Sequence, residues 1–90
     1  MAEAQLEANV RLQAGMAIID LRGDIDGFAE AALIAAYLQA DTKEPTALAL
    51  NFSEVDYINS TGIALIVGLL ARARKEKRPV MVHRAVFGSV

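Results

Sequence analysis

The stretch "DYINSTGIALIVGLLARARKEK", residues 56–77, decides how the rest of the chain is read. Small and polar residues, Asn59-Ser60-Thr61-Gly62, open a segment that turns apolar at once, ends basic and meets Pro79. That pattern predicts a helix over residues 60–77. Ser60 is a good N-cap by type, its hydroxyl accepting from the amide of Gly62 or Ile63. Thr61 and Gly62 then leave free amides at the positive end of the helix dipole, the makings of an anion site, and Gly62 lets a phosphate or a partner backbone come close. At about 100° per residue, Ile63, Ile66, Val67 and Leu70 form one stripe that faces a sheet. Ala64, Leu65, Gly68 and Leu69 lie on the other side, and the first charge is Arg72. Gly68 in mid-helix costs about 1 kcal/mol against alanine. Such an outer face is either a docking surface or lies under a second layer, for instance a C-terminal helix. A phosphate on Ser60 adds about −1.5 to −2 charges at this point. The helix amides accommodate that charge, whereas an acidic or apolar partner does not, so the pattern describes a binding switch.

The remaining elements follow from this helix outward. Residues 10–12 and 16–21 read as two strands around a tight turn in which Gly15 takes positive φ. "MAIIDL" is apolar on both faces apart from Asp20, as a central strand is. Residues 23–27 are a loop, and the alanine-rich residues 28–40 a helix capped by Asp26 or Gly27, with Glu30 complementing the dipole. Residues 46–52 alternate as a strand, 53–59 are a loop, and 80–83 a last short strand. The fold class is therefore α/β, a mixed sheet with helices packed on it in the order β-β-α-β-α-β, one sheet and one helical layer.

Ninety residues with a net charge of −2 make a single domain, residues 1–90, with no general electrostatic case for nucleic acid. The absence of cysteine excludes disulfides, thiolate zinc sites and cysteine nucleophiles. No metal or cofactor is expected. The basic run Arg72, Arg74, Lys75, Lys77 and Arg78 reads as the solvated end of a helix. The N-terminus lacks the cationic region of a secretory signal, and the apolar run at 62–71 is short of the ~20 residues of a membrane span. The expectation is a soluble, cytoplasmic protein.

At Asp56-Tyr57-Ile58-Asn59-Ser60-Thr61-Gly62-Ile63 the chain resembles the D-S-[S/T]-G signature of STAS domains, specifically anti-sigma factor antagonists. Gly23-Asp24-Ile25-Asp26 is similar to the G-[E/D]-[L/I]-D loop of the same family, and the order of elements agrees over residues 10–83. The resemblance implies a module that is not an enzyme. Unphosphorylated, such a domain captures an anti-sigma factor that is also a serine kinase, and so frees the sigma factor for transcription. Phosphorylation of the signature serine ends the interaction, and a PP2C-type phosphatase restores it. Carried over, Ser60 is the phosphorylated residue, with Asp24, Asp26, Asn59, Thr61 and Gly62 as its surroundings. Ile63, Ala64, Leu65, Gly68, Leu69 and Arg72 form the partner-binding face. The chain departs from the family in Asn59, where aspartate is usual, and in its ending, where the family's C-terminal helix is missing.

Three other readings compete. A serine hydrolase would need His83 as its base, yet Ser60 is not in a G-x-S-x-G elbow. Dinucleotide binding lacks its glycine fingerprint. A STAS module of a stressosome-like or lipid-transport complex, without sigma control, is the alternative function. Finally, a sheet apolar on both faces with both helices on one side implies a two-fold homodimer that covers the bare face.

Overall fold

Ala14 and Gly15, at φ 54° and 82°, close a two-residue turn between β1 (Glu7–Gln13) and β2 (Met16–Ile25). Two consecutive left-handed residues match the twist of an antiparallel pair, which fixes the register with Gln13 opposite Met16. The computed structural model describes residues 6–83. β2 continues into α1 (Glu30–Asp41), β3 (Ala47–Ile58), α2 (Ser60–Lys75) and β4 (Val80–His83). The sheet order is β1-β2-β3-β4, with β1 antiparallel to β2 and the other pairs parallel. This is the expected β-β-α-β-α-β mixed sheet.

Strand alternation sorts the side chains. Ala17, Ile19 and Leu21 of β2 and Leu48 and Leu50 of β3 are buried in one cluster with residues of both helices, so both helices lie on the same face. α1 contributes Leu33, Ala36, Tyr37 and Ala40, a stripe at helical spacing. Each large aliphatic side chain removed from water here contributes about 1.5–3 kcal/mol.

The other sheet face is not the bare leucine and isoleucine surface that the homodimer expectation assumed. The buried strand leucines, Leu21, Leu48 and Leu50, face the helices, and Ile18 and Ala49 are each only 9 % exposed. Beside them runs a polar ladder: Arg11 donates to Asp20 at 2.6 and 3.2 Å, Asn51 to the same carboxylate at 2.7 Å, and Ser53 Oγ to Asn51 Oδ1 at 2.8 Å. The Arg11 hydrogen bond foremost, then that of Asn51, holds the Asp20 carboxyl below its ordinary value against a desolvation that opposes them.

Some boundaries differ from expectation. β2 runs on to Ile25 through two register shifts, with Gly23 at φ 104°, so residues 23–25 are bulged strand and not loop. β3 extends through 53–58 because Val55 turns inward and is buried. α1 starts two residues late: Asp26 accepts from the Phe28 amide at 2.9 Å and turns the chain, and Ala29 holds the N-cap position without a side-chain cap. The expected cap at Asp26 or Gly27 is therefore replaced by an Asx turn. The expectation of a missing C-terminal helix falls on residues 84–90, outside the described residues.

Candidate functional site

The carboxyl ends of β2 and β3 bring the two expected motifs together. Register pairs Asp24 with Tyr57 and Ile25 with Ile58, and the Asn59 amide donates to Ile25 O at 3.2 Å. α2 starts at once. Asn59, extended at φ −107° and ψ −177°, is its N-cap, with Oδ1 accepting from the Gly62 amide at 2.8 Å and its carbonyl from Ile63 at 2.9 Å. The cap is thus Asn59 and not Ser60. Asparagine caps without charge, so the departure from aspartate leaves the helix start intact.

Ser60 moves one place inward, to the first residue of α2. It is exposed, and among the described residues its hydroxyl has no hydrogen-bond partner. Beside it Thr61 is exposed, and a Cβ at Gly27 would stand 3.4 Å from Thr61 Cγ2, so the β2–α1 loop and the start of α2 are neighbours. Asp26 is in that loop with its carboxylate engaged by Phe28, and Asp24 is one strand position before Ile25.

Gly62 has a different duty from the one expected. A Cβ there would fall 1.9 Å from Ile25 O, so its missing side chain admits the protein's own backbone and no outside phosphate. The contact sets the rotation of α2. Its buried side is Gly62, Ile66, Leu69 and Ala73. Ile63 and Val67, expected to face the sheet, are 51 and 57 % exposed, while Leu69, expected on the partner face, is 7 % exposed. Leu65 is half-buried, and Ala64, Gly68 and Arg72 are exposed as expected. With Glu30, Leu33 and Ile34 of α1 these residues line a shallow groove between the helices, about 250 Å³ in volume.

Phe28, expected inside α1, is 94 % exposed in the β2–α1 loop. Its signal was present: the inward stripe 29, 33, 36, 37, 40 passes it by. Arg72 stacks 5.1 Å above the Tyr37 ring and lies 3.6 Å from Glu76, while Tyr37 Oη donates to Glu76 and Arg78 pairs with Asp41. The basic run is therefore partly structural, leaving Arg74, Lys75 and Lys77 in solvent.

Charge is divided between the ends of the fold. Around the start of α2 lie Glu7, Asp24, Asp26, Glu30, Glu54 and Asp56 with Arg22 as the one described cation. At the far end of α2, Arg72, Arg74, Lys75, Lys77, Arg78 and Lys43 outnumber Asp41, Glu44 and Glu76. His83 pairs with Asn51. Seven strand residues of ~3.3 Å separate Asn51 from Ile58, so a base at His83 is roughly 20 Å from Ser60 and the hydrolase arrangement does not form. Among the described residues no group of three His, Asp or Glu is placed to hold a metal ion, and no helix is long and apolar enough to cross a membrane.

A family model described as "Mlab, STAS domain" matches residues 8–86. No curated protein matches the sequence. Among solved structures, an anti-sigma factor antagonist from Mycobacterium paratuberculosis is similar with TM-score 0.74 and 23 % identity, over 91 % of this chain and 70 % of its own. The Bacillus cell fate determinant SpoIIAA in its phosphorylated form is similar with TM-score 0.57 and 22 % identity, over 87 % of this chain and 68 % of its own. Mglu is similar with TM-score 0.74 and 24 % identity over 84 % of this chain, which spans only 19 % of Mglu. These likenesses carry the fold.

Proposed function

We propose, from the premise that this chain belongs to the STAS domain family, that it is an anti-sigma factor antagonist switched by phosphorylation of Ser60. Unphosphorylated, it holds an anti-sigma serine kinase and so releases a sigma factor for transcription. Phosphorylated, it lets the kinase go, and a PP2C-type phosphatase resets it in the cytoplasm. One observation carries the reading: the signature serine stands exposed at the first position of α2, its hydroxyl without a hydrogen-bond partner among the described residues. Asn59 fills the Gly62 amide and leaves those of Ser60 and Thr61 at the positive dipole end, where a phosphate is stabilised. The likeness to an anti-sigma factor antagonist and to a phosphorylated SpoIIAA supports the same reading.

The partner surface combines Ile63, Ala64, Gly68 and Arg72 with Phe28 and Val67, while Leu65 and Leu69 form the wall and floor of the groove behind them. The experiment is capture from lysate by wild-type and Ser60→Asp protein, with peptide mass spectrometry after treatment with the captured kinase. Wild type retains a serine kinase, Ser60→Asp loses it, and phosphate appears on Ser60 and is absent from Ser60→Ala. Phosphate on Thr61 alone overturns the assignment.

The alternative, a STAS module held in a stressosome-like or lipid-transport complex, is favoured by one observation. The matching family model is described by Mlab and not as an anti-sigma factor antagonist. In that case wild type and Ser60→Asp retain the same partner, and no kinase modifies either.

A further inference from the structure

The outer surface of the helical layer is short of charge. α1 carries none between Glu30 and Asp41, and Ala31, Ile34, Ala35 and Leu38 are exposed on it. A surface helix with nothing packed on it bears charged side chains at such positions. On α2, Ala64, Gly68 and Ala71 continue the surface, and a Cβ at Gly68 would meet nothing within 4 Å. Small side chains on both helices let further helices come close. α1 packs on β1 and β2 and α2 on β3 and β4, so α2 separates this surface from the β4 edge.

Charge returns only where the groove between the helices holds one acid and one base, Glu30 and Arg72. Each helix leads from one parallel strand to the start of the next, so the two point the same way. Glu30 begins α1 and has no ion-pair partner among the described residues. Arg72 lies over Tyr37, which is ~10 Å further along α1 at 1.5 Å per residue, with its Nε 3.6 Å from Glu76. Ile34 and Gly68 line the groove between them. A two-fold axis lying across the groove at Ile34 and Gly68 therefore sets Glu30 of one copy against Arg72 of the other, twice. It also stacks the helices antiparallel, with opposed dipoles, and lays the acidic end of each fold beside the basic end of the other. Any other partner has to supply this pattern of charge; a second copy already carries it. The layer is ~24 Å long and ~20 Å wide, so each copy covers on the order of 500 Å². That is less than the ~800 Å² per partner of a stable complex, so the pair is weak and exchangeable.

We propose that the outer face of α1 and α2 is a two-fold self-association surface, with Glu30 of each copy paired to Arg72 of the other across an axis at Ile34 and Gly68. On the reading given above, this face also receives the kinase, so a second copy and the kinase exclude one another. The pairing itself needs neither kinase nor phosphate, and its failure leaves that reading standing.

Sedimentation equilibrium of the full chain across the micromolar range reads the mass. Wild type forms a dimer with Kd on the order of 10–100 µM. Glu30→Arg and Arg72→Glu each weaken it at least about tenfold, because like charges then face each other. An equimolar mixture of the two variants regains the dimer, since each supplies the charge that the other lacks. Urea denaturation establishes that both variants are folded. If Arg72→Glu, altered beside Tyr37, does not fold, cross-linking decides in its place. The chain has no cysteine of its own. A short bismaleimide links Gly68→Cys into a dimer and leaves Ser53→Cys, on the opposite sheet face, monomeric. A monomer at every concentration overturns the proposal. So does a dimer that both single variants keep, or one that the mixture of folded variants does not regain. Equal linking of the two cysteine variants overturns it as well.

Discussion

A methyl group at position 62 would overlap the Ile25 carbonyl, while one at position 68 would meet nothing within 4 Å. The two glycines of α2 therefore respond to alanine with opposite signs. Gly62→Ala forces the helix start off β2 and costs about 3 kcal/mol, the upper part of the usual range for overpacking. Gly68→Ala gains about 0.5–1 kcal/mol, the helix-propensity difference alone. Urea denaturation of both variants checks the pair. If Gly68 is kept for close approach of a partner, Gly68→Ala is also the variant that gains stability and loses capture. The same residues mark what the sequence disclosed. The motif and its serine were legible from residue type, but the cap fell one place early. Asn59 and Ser60 both cap well, and only the backbone angles of a folded chain choose between them.

Between elements, the helices are joined by a polar clamp far from the switch. Tyr37 Oη donates to Glu76, and Arg72 lies over the ring. That hydrogen bond, ahead of the Arg72 charge, holds the Glu76 carboxyl below its ordinary range, while desolvation opposes it. Burial foremost, then Glu76, raises the Tyr37 hydroxyl above its ordinary value of 10.0. The signs follow from linkage. The Glu76 contribution is present above the ordinary carboxylate pKa and is lost as pH falls through the lowered folded-state value. The Tyr37 contribution is complete below its ordinary value and is lost as pH rises through the raised one. Tyr37→Phe should thus lower Tm near neutral pH by roughly 4–8 °C, the scale of one hydrogen bond in a domain this size. The gap to wild type narrows toward both extremes, which a series of melts across pH displays. None of this was legible, because residues 37 and 76 are distant in sequence and each looks like a surface residue in its own segment. The rotation of α2 was misread for a related reason. Its first three turns are apolar nearly all round, so no stripe stands out, and the phase is set by the contact of Gly62 with a neighbouring strand. β3 was read short because "SEVDYI" looks like a loop, although Val55 anchors it.

For the molecule as a whole, element order and the single helical layer were legible because strand alternation and two helix-length segments leave little choice of topology. The state of the second sheet face was not, since it depends on Arg11, Asp20 and Asn51 meeting across three strands. The division of charge is likewise visible only when the chain is folded, and its geometry has a consequence. α2 has 16 residues and so separates its ends by ~24 Å, about three screening lengths at physiological salt. A phosphate gained or lost at one end is electrostatically silent at the other. A charge placed at the start of α2 therefore alters what that end attracts and leaves the field of the basic end as it was.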